Sequence, residues 1–324
     1  MTMSAKLMIG RVLVAFLCLM GAVQASQAQA IIMGAVGSAG ANIWPFYIAI
    51  KNGYFTEAGI TPDIIFVQSN AGVNLQLAAG SIDVAITTGL VDPIRAIEKG
   101  ASAAIIRIAI SPAPYAIVGK ASIASIADLK GKRITIGGAK DITRILTDGV
   151  LSANQVDPST VEYSYAGSTA ARLTALQSGV VDAAILLPPY NFYAETAGFR
   201  SLALTKEFVP DLPFAGTVVN TKWAERNPDL VRKLLAIDDK SIVWFNNTAN
   251  REKAIDIMVE VSKGNRADVE KTYDYMQRNE FFEKTSAISR RKLEHVVRAL
   301  TETGDIEAGL SVEKLVLPKT QFTE

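Results

Sequence analysis

The chain has 324 residues, nearly half of them hydrophobic, with 33 basic side chains against 32 acidic ones. A formal net charge of +1 offers neither a basic surface for nucleic acid nor a strongly acidic face. One cysteine and one histidine exclude an internal disulfide and leave almost nothing for Ser-His-Asp catalysis, a Cys-His pair or an ordinary zinc site.

Residues 1–30 read as an export signal. Lys6 and Arg11 give a basic start, "VLVAFLCLM" is an apolar run too short to span a membrane, and Ala28-Gln29-Ala30 offers a small-x-small cleavage site. Cleavage is expected after Ala30, with Ser26-Gln27-Ala28 as a competing site. Cys18 lies inside the run, behind Leu17 where lipid attachment would need a small residue, so the mature chain carries no cysteine. Losing Lys6 and Arg11 takes the balance to 31 − 32 = −1. No later apolar run approaches a membrane span. The expectation is a soluble, near-neutral periplasmic protein, large enough to bury a core without disulfides.

The mature chain alternates strand-like and helix-like segments. "IIMGAVG" leads into the loop "SAGAN", after which Ile43, Phe46, Tyr47 and Ile50 fall on one helical face, ended by Asn52-Gly53. "PDIIFVQ", a helix ending at Gly80, "VAIT" and "AAIIRIAI" complete a first unit. A second opens with the strand "RITIG" and a glycine pair. It continues with a helix from about Thr143, "VEYSYA", a helix ending at Gly179 and "AAILL". Strands alternating with helices indicate a parallel sheet in each unit. The last third is helical: Asn227-Pro228 is a start signal with a capping side chain, and Ala254/Ile257/Met258/Val261 and Leu293/Val296/Val297/Leu300 are stripes. The proline-bearing stretches "SPAPYAI" and "PDLPFAGTVV" are the expected crossings between units.

The two units share a motif. "LQLAAGSIDVAI" and "TALQSGVVDAAI" superpose Gly80 on Gly179 and Asp83 on Asp182, an offset of 182 − 83 = 99. Ligands of open α/β sheets bind beyond the carboxyl ends of strands, and these aspartates stand before their strands. They are expected to accept backbone hydrogen bonds at a duplicated corner, not to form a catalytic pair. His295, among Glu294, Arg298 and Glu302, reads as a solvated residue between stripe positions. "GGAKD" matches no phosphate-loop signature, yet a strand, a glycine turn and a helix start suit an anion. Lys140, Thr143 and Arg144 would reinforce that role; alternatively Asp141 simply caps the helix and Arg144 lies on its surface.

The segments "FYIAIKNGYFTEAGITPDIIF", "LAAGSIDVAITTG", "ADLKGKRITIGG" and "LQSGVVDAAILLPPY" resemble, in order and spacing, the NMT1/THI5-like and SsuA/TauA-like substrate-binding proteins of ABC importers. The resemblance spans roughly residues 31–245. It implies an α/β type II periplasmic binding protein fold: two lobes joined by two crossovers with a ligand cleft between them. Lobe 1 would comprise residues 31–112 and a mostly helical return segment, 217–324, and lobe 2 residues 113–216. Binding residues are expected in the loops after strands: Asn42, Trp44, Thr87, Thr88 and Gly89 in lobe 1, and Asp141, Thr143, Arg144, Tyr165, Ser168, Pro188 and Tyr190 in lobe 2. Trp44 lies off the Ile43 stripe and would serve as an aromatic platform, or else pack on a neighbouring element. Thr87–Gly89 would hold a polar head or form a plain turn, and Tyr165 would face the cleft or a helix. Leu187 and Pro188 replace the Trp-Glu of a Trp-Glu-Pro run found in some members, which speaks against carrying over a taurine-like or amino-cation site.

The function so implied is capture of a small organic solute (sulfonate, aromatic acid or pyrimidine-like) for an ABC permease and ATPase, by a monomer with no cofactor, metal or catalytic residue. The alternatives are a THI5-like pyrimidine-precursor synthase and an input protein for a sensor or chemoreceptor. The synthases carry a cysteine-rich motif and an active-site histidine that this mature chain does not match.

Overall fold

The computed structural model describes residues 28–37 and 40–324. The expected export signal lies outside them, apart from its last three residues. Of these, Gln29 and Ala30 already belong to the first strand, paired with Ile60 and Thr61.

Two five-stranded sheets of matching design make up the molecule. In the first, β1 (Gln29–Val36), β2 (Ile60–Val67), β3 (Val84–Gly89) and β4 (Ala103–Ile110) alternate with α1 (Trp44–Lys51), α2 (Tyr54–Glu57), α3 (Asn70–Ala79) and α4 (Val91–Glu98). The second contains β5 (Ala116–Gly119), β6 (Arg133–Ile136), β7 (Glu162–Tyr165), β8 (Ala183–Leu186) and β9 (Arg200–Leu204). Its helices are α5 (Ile142–Ala153), α6 (Thr169–Gln177), α7 (Tyr190–Thr196) and α8 (Thr205–Phe208). The chain then returns through β10 (Ala215–Asn220) to α9 (Thr221–Arg226), α10 (Pro228–Asn246), α11 (Arg251–Ser262), α12 (Arg266–Arg278) and α13 (Arg290–Glu302). The strand orders are β2-β1-β3-β10-β4 and β7-β6-β8-β5-β9. In each, one strand, β10 or β5, runs antiparallel to its neighbours.

The chain therefore crosses between sheets twice, at residues 111–115 and 209–214. The return begins two residues earlier than the expected 217, because Ala215 and Gly216 already pair with β3 and β4. Tyr115 and Phe214, the last residues of the two crossings, meet edge to face at 5.1 Å between ring centroids.

The duplicated motif is a duplicated corner. Gly80 and Gly179 have φ of +75° and +77°, the left-handed conformation that closes α3 and α6. Asp83 Oδ2 accepts from the N–H of Ile32 (2.9 Å), and Asp182 Oδ2 accepts from the N–H of Arg133 (3.0 Å). The backbones reciprocate: Asp83 N–H donates to Ile32 O and Asp182 N–H to Arg133 O, at 2.9 and 2.8 Å. Each aspartate thus pins the start of β3 or β8 to the neighbouring β1 or β6.

Helix α1 departs from its expected face. Ile50 is exposed, whereas Trp44, Phe46, Ile48 and Ala49 are buried. The reason is the return segment: α10 and α11 pack on α1 from outside the sheet, so two of its faces are covered. Asn227 likewise does not cap α10 with its side chain; its amide donates to the carbonyl of Trp223 at 2.9 Å, closing α9 instead. Pro228 does open α10 as expected.

Candidate functional site

The lobes are shut on one another. Asn70 Nδ2, at the start of α3 in lobe 1, donates to Asp141 Oδ2 of lobe 2 at 2.9 Å. Ala41 N–H donates to the carbonyl of Pro188 at 3.1 Å, and Lys140 Nζ lies 2.8 Å from Asp305 Oδ1. Thr196 Oγ1 on α7 donates to Asp268 Oδ1 on α12 at 2.9 Å. Gly167 is pressed against lobe 1, where a Cβ would stand 2.2 Å from the carbonyl oxygen of Gln68.

These contacts enclose a cavity of ≈ 40 Å³ at the carboxyl ends of the strands. That is room for about three waters, at roughly 10–15 Å³ each. Lobe 1 supplies Gly37 and Asn42 after β1, Asn70 after β2, and Thr87 from β3. From lobe 2 come Asp141 after β6, Arg172 on α6, and Leu187 and Tyr190 after β8, while Tyr115 and Phe214 form the hinge-side wall.

Four of the residues expected from sequence line this cavity: Asn42, Thr87, Asp141 and Tyr190. The others take different places. Trp44 is 0 % exposed; its Nε1–H donates to Ala254 O at 2.9 Å, and its ring packs edge-on to Phe245 and Tyr273. It is core, since the return segment fills the space the sequence left open for a platform. Thr88 is buried beneath the wall, donating to Asn70 Oδ1, and Gly89 N–H donates to the same oxygen, both at 3.2 Å. Thr143 is buried, its hydroxyl donating to Asp141 Oδ1 at 2.6 Å. Arg144 pairs with Asp148 at 2.6 Å and stacks over Tyr163, on the body of α5. Tyr165 is 57 % exposed on edge strand β7. Ser168 caps α6, accepting from Ala171 N–H, and Pro188 contributes only its carbonyl to the seam.

Asp141 has two structural partners. Oδ1 caps α5 through the N–H of Thr143, and Oδ2 reaches across the cleft to Asn70.

Arg172 was missed by the rule of loops after strands, because it sits inside α6. Its position four residues before Leu176 places a guanidinium on that helix's buried face, a signal the sequence did carry. The side chain is 2 % exposed. Nε donates to Ile185 O (2.8 Å), Nη1 to Ala166 O and Gly167 O (2.9 and 3.0 Å), and Nη2 to Thr169 Oγ1 (2.9 Å). Four of its five N–H groups are thus spent on neutral oxygens. No carboxylate among the described residues forms an ion pair with it, and Tyr115 lies beside it with its hydroxyl pKa raised by burial. Asn70, another lining residue outside the expected set, begins the helix after β2.

Two α/β lobes of this strand order, joined by two crossings around a cleft, are the periplasmic binding protein fold. Residues 40–250 match the family model described as NMT1/THI5 like, and the chain belongs to that family. No curated protein matches the chain. Among solved structures it is similar to the alkanesulfonate-binding protein SsuA from Xanthomonas axonopodis pv. citri bound to MOPS. That match has 18 % identity and a TM-score of 0.75, covering 89 % of this chain and 98 % of the other. The aliphatic sulphonate-binding SsuA from Escherichia coli is similar at 16 % identity and a TM-score of 0.70, over 90 % of this chain and 98 % of that one. The nitrate-binding protein NrtA from Synechocystis PCC 6803 is similar at 14 % identity and a TM-score of 0.74, over 89 % and 84 % respectively.

Proposed function

We propose that the protein is an exported solute receptor that encloses a small anionic organic solute between its lobes and hands it to an ABC importer. The observation that carries this reading is Arg172: a buried guanidinium on the wall of an inter-lobe cavity, with no ion-paired carboxylate among the described residues. An unpaired charge away from water is costly, so a site that retains one is built for a counter-ion brought in from outside. Sulfonates and aromatic acids supply that charge, and the alkanesulfonate- and nitrate-binding relatives support the same class. Asn70, Asp141 and the hinge rings Tyr115 and Phe214 would set the orientation of the solute.

Binding rather than turnover is part of the proposal. His295 lies on α13, its Nδ1 3.2 Å from Asp211 O and away from the cavity-lining residues, and the one cysteine is Cys18. No helix of the described residues is long and apolar enough to cross a membrane. The start of β1 at Gln29 favours signal cleavage after Ala28 over Ala30, since the later cut would remove two paired residues. Isothermal titration against sulfonates, aromatic acids, pyrimidines and nitrate tests the reading: saturable one-to-one binding of an anion supports it. Binding of neutral pyrimidines alone, or of nothing, contradicts it.

A further inference from the structure

Behind the cleft lies a second cavity, of ≈ 30 Å³, inside lobe 1. It shares two wall residues with the first, Asn42 and Thr87. Thr87 has φ +49°, a left-handed conformation that a β-branched residue rarely adopts. It stands where the pairing of β10 with β3 slips between Gly216 and Val218. On the other side of β10, the pairing with β4 slips between Thr217 and Val218. The sheet is therefore bulged on both sides of Thr217, and Thr217 and its partner Arg107 line the opening. Ile43, Phe46, Ile86, Ile242 and Phe282 supply apolar wall.

The charges around this chamber do not balance. Arg107, fully buried, is bonded to the Asp239 carboxylate and to the carbonyl of Glu283, and Ser286 Oγ holds the other Asp239 oxygen at 3.0 Å. That pair is neutral. Asp238, the preceding residue of α10, also lines the chamber, and its carboxylate accepts no hydrogen bond among the described residues. Burial raises its pKa to about 6 even with Arg107 attracting its charge. The chamber is thus an apolar recess with one carboxylate in excess, sized for a group no larger than a few water-sized units.

We propose that this chamber is a second subsite, which receives the cationic N–H-bearing end, ammonium or amidinium, of the solute whose anionic end occupies the cleft. Asp238 is the accepting group, Asn42 and Thr87 form the passage, and the apolar walls cover the connecting carbons. The inference rests on the cleft reading above. A charged N–H donor satisfies the chamber's carboxylate, which accepts no hydrogen bond among the described residues, and charge-assisted hydrogen bonds are the stronger kind.

The test is titration of the wild-type protein and Asp238→Asn with short straight-chain carboxylates, each with and without a terminal amine. Asparagine keeps the shape and removes the charge, and a rise in melting temperature would show that the variant folds. The amino form should bind wild type at least about tenfold more tightly than its plain counterpart, the scale of one hydrogen bond to a charged group. Asp238→Asn should abolish that preference while leaving the plain carboxylate's affinity essentially unchanged. Equal affinities in the wild type, as expected if the chamber holds only water, overturn the inference. So does a preference that survives in Asp238→Asn. Binding of other anions but of neither carboxylate series overturns the inference and leaves the cleft reading standing, whereas binding of no anion at all overturns both.

Discussion

A methyl group added to Gly167 would meet the Gln68 carbonyl oxygen at 2.2 Å, across the seam between lobes. Backbone cannot yield there as the end of a side chain could, so the shut arrangement is open only to glycine at this position. Gly167→Ala should fold normally, hold the lobes apart and give a larger radius of gyration by small-angle scattering. With the closed state reduced to a minor population, solute affinity should fall by about tenfold or more. An unchanged scattering profile and affinity would count against the closed seam. Trp44 makes the opposite case. Replacing it with alanine removes a fully buried ring and its bond to Ala254, and should cost about 3–5 kcal/mol in a urea titration. Its solute affinity, measured where the variant is still folded, should stay near that of the wild type. The sequence left Trp44 open between a cleft platform and a packed residue. Trp44 owes its burial to a helix some 210 positions away, a distance no local periodicity reports.

The duplicated corner is the clearest feature at the level of elements. Asp83 and Asp182 pin equivalent strands by equivalent bonds, and both stand at the amino ends of their strands, opposite the cleft. Asp83→Ala should lower stability by about 1–3 kcal/mol, the scale of a hydrogen bond to a charged group. Binding by the folded fraction should be unaltered; loss of binding without loss of stability would mean the corner communicates with the site. This much was legible in sequence, because a helix end, a turn and a strand start are local events governed by glycine and aspartate chemistry. The order of elements was legible for the same reason. Less visible was which side of each helix faces what. Asn227, the expected cap of α10, is bonded back to α9, and Arg172 reaches the cavity from within a helix and not from a loop after a strand. Asn42, Thr87, Asp141 and Tyr190 meet at the cavity wall as the carboxyl-end rule leads one to expect, because that rule is geometric and holds for any open α/β sheet.

Across the whole molecule, closure assembles charge as well as shape. Asp92 on α4 bonds Arg95 at 3.1 Å, and Arg95 also bonds Asp305, the partner of Lys140 from lobe 2. Burial, and then the nearby Asp141 carboxylate brought by lobe 2, raise Asp92 from 3.8 to about 7 against the pull of Arg95. Between those values the folded protein holds a proton that the unfolded chain has released. Its contribution to stability is therefore full below the unfolded value and is lost as pH rises toward 7. Asp92→Asn removes the titration, so its advantage over the wild type in urea midpoint should grow from about pH 5 to about pH 8. A constant difference would show that Asp92 does not titrate in this window.

The central claim is capture without conversion, and it is tested most directly by equilibrium dialysis against a panel of small organic anions, with mass spectrometry of the solute released on denaturation. The account predicts one solute retained per chain and recovered chemically unchanged, with retention lost in Arg172→Gln variants that keep their fold. Recovery of a converted product, or no retention of any anion by the wild-type protein, would contradict it.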